Sequence, residues 1–392
     1  MESTELWDLA RTYRAELIDL AQRLVQTPSL SGREANAAAL IQAEMQRLDY
    51  DAVWVDEAGN VIGRIEGGDS PALMLNGHMD QVDAGDPAGW PHPPFGGEIH
   101  ESELWGRGSV DMKGALAAMV VAGGLIKKAG ALLPGDLYVS AVVQEEVGGL
   151  GARHLARTLP VGRAVVGEAS GNQLRRGHRG RMELNARFEG RSVHASMPDL
   201  GINPHFSMAR FLSNLQGLEM ASDPVYGSST VAPTRVTSRP DSANVTPTTL
   251  DLVLDWRNIP GESPEEVVAQ LEAVLADSLL SGCTGAVEVT TKELTSYTGF
   301  EMRYLDLFPS FTTPPDDSWL LRARTVLEVA LGRGVETGIW RFATDGGHFA
   351  AAGATVLGFG PGDDTVVHTN EERIAIDDLV ESVVGYLALS LA

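Results

Sequence analysis

At 392 residues the chain is too long for one ordinary domain and long enough to bury two sizeable cores. Its 43% apolar and 21% charged residues are those of a soluble globular protein, and a net charge of -23 argues against nucleic acid and anionic membrane as partners. The single cysteine, Cys283, rules out an intramolecular disulfide and a thiolate metal cluster.

The first residues are acidic and lack the basic-then-apolar pattern of a signal peptide, so a cytoplasmic protein is expected. Helical periodicity covers residues 4–25, and Ser31 with Glu34 reads as a capping box for a second helix reaching about residue 48. Short strands are expected at 52–55, 61–65 and 72–75. The apolar stretch 115–126, flanked by Lys113 and Lys127, is too short to cross a bilayer and reads as a core helix opening near Met112. A near-continuous apolar strand at 137–143, a short helix at 152–159 and a strand at 164–166 follow. Buried strands alternating with helices point to an α/β sheet covered on both faces.

Near Arg175 the pattern changes. Residues 182–188 and 249–257 alternate apolar and polar, with Leu250, Leu252, Leu254 and Trp256 on one face and Asp251 and Asp255 on the other. That is an antiparallel sheet with one wet side. Helices are expected at 203–218 and from the Ser263-Pro264-Glu265-Glu266 capping box to about 280, with a closing strand at 287–292. The order β-α-β-β-α-β suggests a ferredoxin-like insertion. After residue 297 the α/β pattern resumes, with a helix at 318–331, strands at 339–342 and 355–358, and a last helix from Asp377. The expected organisation is a three-layer α/β domain with a mixed, mostly parallel sheet, built from residues 1–177 and 296–392, and an inserted α+β domain over 178–295.

Six acidic and histidine residues stand in sharp local contexts: His78, Asp111, Glu145, Glu146, Glu168 and His368. Most end an apolar run or precede a helix. His78 and Asp80 follow the 72–75 strand at its C-terminal end, where ligands bind in α/β sheets, and a metal-bound imidazole needs an acceptor such as Asp80 for its other nitrogen. Asp111, between Gly106-Arg107-Gly108 and a helix, suits an N-cap or a bridge between two metals. Glu145 and Glu146 are adjacent acids whose side chains diverge in an extended segment, so they suit different roles. Uncompensated charge at buried strand ends is costly, and a metal is the simplest compensation. Two imidazoles, three carboxylates and one further glutamate make a ligand set for two borderline divalent ions with a general base to spare. No nucleophile competes: Gly-x-Ser-x-Gly is absent, Cys283 has no catalytic context, and Gly106-Arg107-Gly108 lacks the full dinucleotide or phosphate-loop pattern.

The segment from Leu75 to Gly114 contains Asn76-Gly77-His78-Met79-Asp80, Trp90, Pro94-Phe95 and Gly106 through Gly114. It resembles the co-catalytic zinc metallopeptidase and deacylase family of acetylornithine deacetylase, succinyl-diaminopimelate desuccinylase, aminoacylase and glutamate carboxypeptidase. Glu145-Glu146, Glu168 and His368-Thr369-Asn370-Glu371 match in order and setting, so the resemblance covers nearly the whole chain. It implies that His78 and Glu168 hold one zinc, Glu146 and His368 the other, and Asp111 bridges them; cobalt or manganese could serve instead. It further implies that Glu145 is the base for a water shared by the metals and that Asp80 orients His78. In the insertion, it implies that His194 reaches the partner's active site in a homodimer and stabilises the oxyanion, and that Arg179, Asn244 and Arg257 meet the substrate. The loop Thr344-Asp345-Gly346-Gly347 resembles a family Gly-rich turn whose backbone donors at Thr344, Gly346 and Gly347 face the substrate; His348 has no assigned role. The expected activity is hydrolysis of an amide in an N-acyl amino acid or short peptide bearing a free carboxylate. Dipeptidase, carboxypeptidase and succinyl-diaminopimelate desuccinylase activities are the alternatives, followed by a non-catalytic binding protein.

Overall fold

The apolar runs become elements in the computed structural model, which describes residues 1–392. In chain order these are α1 (Ser3–Thr12), α2 (Arg14–Val25), α3 (Ala35–Arg47), β1 (Ala52–Val55), β2 (Val61–Ile65), β3 (Leu73–His78), β4 (Ile99–His100), β5 (Glu103–Trp105), α4 (Gly114–Ala129), β6 (Leu137–Val142), α5 (Leu150–Thr158), β7 (Arg163–Val166) and β8 (Leu174–His178). There follow β9 (Arg181–Glu189), α6 (Pro204–Leu215), β10 (Thr230–Arg239), β11 (Thr249–Arg257), α7 (Pro264–Ser278), β12 (Thr284–Val289), α8 (Ser318–Leu331), β13 (Thr337–Trp340), α9 (Gly346–Ala351), β14 (Thr355–Gly358), β15 (Arg373–Ala375) and α10 (Ile376–Ser390). One unit comprises Met1–His178, Glu293–Met302 and Phe311–Ala392; the other comprises Arg179–Lys292 and Arg303–Ser310.

In the first unit the sheet runs β1-β2-β6-β3-β7-β14-β8, with Phe311–Thr312 beyond β8 and β13 also paired to β8. The central strands β6, β3, β7 and β14 are mutually parallel. Side chains alternate across the pleat. Leu73, Leu75, Val139, Ala141 and Val165 therefore enter one core with α2, α4, α8 and α10, while Met74, Val142, Ala164, Val166 and Val356 enter another with α5 and α9. Both faces are covered, which explains why these strands read as continuous apolar runs. The apolar stretch 115–126 is buried throughout as the body of α4. A Cβ on its Gly123 would lie 2.1 Å from the Tyr50 hydroxyl oxygen, so glycine is what lets the segment after α3 approach.

In the second unit β9-α6-β10-β11-α7-β12 forms an antiparallel sheet in the order β10-β11-β9-β12, a ferredoxin-like arrangement. Leu184, Ala186, Phe188, Leu250, Leu252, Leu254 and Trp256 pack under Phe211 from α6 and Leu271 from α7. The Ser263 hydroxyl accepts from the Glu266 amide and the Glu266 carboxylate accepts from the Ser263 amide, closing the expected capping box. The strand β10 escapes sequence reading because it is exposed along most of its length and carries no apolar alternation.

Three local expectations change. The helix over 4–25 is two helices, parted at Tyr13 (φ -99°, ψ 16°), so that α1 packs on α10 while α2 packs on α4. Ser31 and Glu34 form no capping box: Glu34 is itself the N-cap of α3, and the Ser31 hydroxyl donates to Asp80 at 2.7 Å. The core helix begins at Gly114 rather than Met112, because Asp111 and Met112 have non-helical backbone angles.

Candidate functional site

The parallel strands β3, β6 and β7 deliver their C-terminal ends to one edge of the sheet. His78 ends β3, Glu145 and Glu146 follow β6, and Glu168 follows β7. His78 is fully buried, and its Nδ1 lies 3.0 Å from the Asp80 main-chain carbonyl, against 3.5 Å from the Asp80 carboxylate. The backbone of Asp80 thus orients the ring. The Asp80 carboxylate also faces the ring, and it accepts from Ser31 Oγ at 2.7 Å, the Glu145 amide at 3.0 Å and the Glu146 amide at 3.2 Å. It pins the turn that carries both glutamates. That turn, not an extended strand, separates their side chains, and Gln144 enters it with a left-handed φ of 56°.

Asp111 is set by a buried anion. Glu372 Oε1 accepts from the amides of Gly108 (2.9 Å), Val110 (3.1 Å) and Asp111 (3.1 Å), and Glu372 Oε2 pairs with Arg107 Nη1 at 2.5 Å. Burial, then the nearby Asp111 charge, pushes the Glu372 carboxyl up to about 7 against the pull of Arg107. Below the loop, buried Lys113 donates to the Thr27 carbonyl at 2.8 Å and to Gln81. Asp111 is therefore not an N-cap; its carboxylate is free to face the imidazoles. Glu372→Gln would leave Arg107 buried without its anion, with an expected cost of about 3–5 kcal/mol. A melting temperature within error of wild type would refute that role.

Asp111 spans the two histidines. Its Oδ1 is 2.9 Å from His78 Nε2 and its Oδ2 is 3.0 Å from His368 Nε2. His368 Nε2 also lies 3.2 Å from Glu146 Oε1, and His78 Nε2 lies 3.5 Å from Glu168 Oε1. Two donor groups therefore share one carboxylate: His78 with Glu168, and His368 with Glu146. Burial alone would raise the Asp111 carboxyl, yet hydrogen bonds from His368 and His78 hold it well below the carboxylate range. Hydrogen bonds to Asp111 and Glu146 push His368 up to about 10. Glu145, buried, is pushed well up by burial and by the Asp345 charge, and burial with Asp111 pushes Glu168 up to about 7.

Six carboxyls (Asp80, Asp111, Glu145, Glu146, Glu168 and Asp345) thus surround two imidazoles. Both oxygens of buried Asp345 lack a hydrogen-bond partner. Such an excess of enclosed negative charge favours binding a cation, and mixed imidazole and carboxylate donors suit borderline divalent ions. The donor set fits.

The profile of peptidase family M20/M25/M40 matches residues 74–391. The chain belongs to peptidase family M20/M25/M40. This M20/M25/M40 peptidase is accordingly a hydrolase of peptide or amide bonds. It is 29% identical to the uncharacterized protein YgeY of Escherichia coli K12 over 394 residues, covering 98% of this chain and 96% of YgeY. Its fold is similar to that of the aminopeptidase PepT from Bacillus cereus, with a TM-score of 0.74 at 18% identity over 96% of this chain and 98% of the other. It is also similar to the Bacillus subtilis YxeP protein, described as a dinuclear metal-binding peptidase, with a TM-score of 0.69 at 17% identity over 97% and 98% of the two chains.

In the second unit of the M20 peptidase, His194 and Asn244 lie on adjoining loops. The Ala195 amide donates to the Asn244 carbonyl at 2.8 Å, and His194 Nδ1 is 2.7 Å from Ser196 Oγ. Arg179 donates to the Arg257 carbonyl at 2.9 Å and to Thr230 Oγ1 at 3.2 Å, while Arg257 pairs with Asp255 on its own strand at 2.6 Å. Arg257 is thus held in a salt bridge with a residue of its own strand. The Thr344 amide donates to His178 Nε2 at 3.1 Å, the Gly346 amide to Thr344 Oγ1 at 3.1 Å, and the Gly347 amide to the Thr344 carbonyl at 3.3 Å. These three donors are spent inside the fold, opening α9. His348, inside α9, is buried, and burial holds its imidazole well below the usual range.

Sequence reading of this M20 peptidase missed Ser31, Glu34, Asp345 and Glu372. Glu372 directly follows the His368-Thr369-Asn370-Glu371 match, and Asp345 lies inside the Thr344 motif, so both had a local signal. Glu34 is fully buried; its Oε1 accepts from the amides of Gly32 (2.9 Å) and Gln144 (3.2 Å), and its Oε2 has no partner. Burial and the Asp80 charge push it up to about 7. A raised folded-state carboxyl binds its proton more tightly in the native state, so stability falls as pH rises from the unfolded value near 4.5 through about 7. Glu34→Gln should therefore stabilise the metal-free protein by about 2–3 kcal/mol at pH 8, with the gain fading toward pH 4. Denaturant titrations at both pH values measure this; a gain independent of pH would contradict it.

Proposed function

We propose that this M20 peptidase is a two-cation amidohydrolase that cleaves an N-acyl amino acid or short peptide with a free carboxylate. The observation that carries this reading is the Asp111 carboxylate lying 2.9 Å from His78 and 3.0 Å from His368 at once. His78 and Glu168 would hold one ion, His368 and Glu146 the other, and Asp111 both. Zinc is the proposed metal, with cobalt or manganese as substitutes. When bound, the ions polarise the scissile carbonyl and acidify a water. Glu145 accepts the proton of that water and later returns it to the leaving amine. Asp80 keeps Glu145 and Glu146 in place through their amides.

The second unit acts as the lid and dimerisation domain in this proposal. His194 of the partner subunit stabilises the oxyanion, and Asn244 sits beside it on the adjoining loop. Arg179, beside the Arg257 carbonyl, and Arg257, beside Asp255, are the two proposed grips for a substrate carboxylate. Mixing His194→Ala chains with Glu145→Ala chains should restore part of the activity that each lacks, because one of the two heterodimer sites is intact; no restoration would sink the shared site. The function itself is tested on N-acetyl amino acids, N-succinyl-diaminopimelate and dipeptides, each with zinc, cobalt and manganese. Fastest turnover on N-acyl amino acids supports deacylation, faster dipeptide cleavage favours the peptidase reading, and no turnover on any of them overturns the proposal.

A further inference from the structure

The turn that carries Glu145 and Glu146 begins on a residue whose backbone needs outside support. Gln144 is buried with a φ of 56°, in the left-handed region that residues other than glycine seldom occupy. Such a residue keeps that conformation only where its surroundings over-determine it. Three segments do so here. The Gln144 amide donates to Glu34 Oε1 at 3.2 Å, at the start of α3. The Gln144 carbonyl accepts from the Gly149 amide at 2.7 Å, which closes the turn ahead of α5. Gln144 Nε2 donates to the Thr295 carbonyl at 2.8 Å. A carbonyl only accepts, so Thr295 also settles which end of the Gln144 side-chain amide faces it.

Thr295 is itself anchored. Glu293–Met302 belongs to the first unit, although the chain on either side of it belongs to the second. The Ser296 amide donates to the Phe300 carbonyl at 2.9 Å and closes the segment into a tight turn. Tyr297 Oη donates to the Gly59 carbonyl at 3.0 Å, Thr298 Oγ1 donates to the Glu57 carbonyl at 2.7 Å, and the Phe300 ring meets His154 edge to face at 4.9 Å. The Thr295 carbonyl is therefore a fixed acceptor.

We propose that Gln144 is the positioning residue for Glu145, its side chain fastened to Thr295 so that the left-handed turn aims the Glu145 carboxylate into the candidate centre. This rests on the reading of Glu145 as the base. A Glu145 carboxylate oxygen lies within 4.8 Å of donor atoms on His78 and Glu168. A return of Gln144 to negative φ would swing the next residue away, and a misplacement of about 1 Å is enough to cost about 100-fold in rate. Glu146 would be held by its ion and by His368 as well. Glu145 ligates nothing in this reading, so it depends on the turn.

Gln144→Met keeps the length of the side chain and removes its donor. It should lower kcat by about 10–100-fold. KM should stay within about twofold of wild type, because no substrate contact is lost, and metal content should not change. In a Glu145→Ala background the same substitution should cost nothing further, since residues that act as a unit are not additive. In the metal-free protein the Glu145 and Glu146 amides, both donated to Asp80, should exchange their hydrogens at least about tenfold faster while buried α4 keeps its protection. Wild-type kcat, a loss that multiplies with that of Glu145→Ala, or unaltered exchange at Glu145 each overturns the proposal. Should Gln144→Met fail to fold, Gln144→Gly carries the same expectations, because glycine adopts a left-handed φ without strain. Failure of Glu145 as the base shows separately, as near wild-type turnover in Glu145→Ala, and amide exchange then decides alone whether Gln144 holds the turn.

Discussion

Asp111→Asn is expected to empty the candidate centre and abolish turnover with the fold intact. Asp111 is the one carboxylate within hydrogen-bond distance of both His78 and His368, so its loss removes a ligand from each half. Outer-shell partners of metal ligands alone are worth about 10–100-fold in affinity. Loss of a shared ligand should therefore weaken metal binding by more than about 100-fold. The Asn side chain keeps the shape of Asp and leaves the Glu372 bonds to the loop amides in place, so the loop should persist. Metal analysis after dialysis gives the decisive number: a variant that keeps wild-type metal content would remove Asp111 from the bridging position.

Glu145→Ala should show the opposite split, with metal retained and turnover lost. Glu145 is buried and its strongest charge neighbour is Asp345, whereas the imidazoles are paired to Asp111, Glu146 and Glu168. Its removal therefore spares the proposed ligands and takes away the group that moves the proton. A positioned general acid–base is worth about 10²–10⁴ in rate, and Glu145 serves both halves of the cycle, so kcat should fall by about 10³–10⁴. The fall should appear in kcat with little change in KM, since no substrate contact is removed. Residual hydrolysis within about tenfold of wild type would assign the base to another group, and Asp345, pushed up to about 8 by its burial, would be the next to examine.

His78, Asp111, Glu145, Glu146, Glu168 and His368 were legible because each follows a strand or a glycine-rich turn visible within ten residues of sequence. The strand pattern also showed which sheet ends carry them. Asp80 was legible as a neighbour of His78 but not in everything it does. The sequence says that Asp80 lies two residues from His78; only the folded chain shows its carboxylate turned to the Glu145 and Glu146 amides while its carbonyl holds the ring. The Thr344 turn was legible as a glycine-rich motif, while the partners of its amides come only from packing against His178. Glu372 supports Asp111 from 261 residues away, and no local pattern records such a pairing.

The sequence by itself determined the two layers of helices over a mostly parallel sheet, the ferredoxin-like insertion, and the residue types that meet at the sheet edge. Those follow from the period of the apolar residues and from charges placed where strands end, both of which are short-range properties of a chain. The tertiary structure alone decided that Asp111 faces two imidazoles, that Glu372 and Asp80 hold the loops around them, and that six carboxyls are enclosed together. These are contacts between segments far apart in sequence, selected by burial. Enclosure raises the cost of every unpaired charge, and only the packed fold shows which ones remain to be met by a cation.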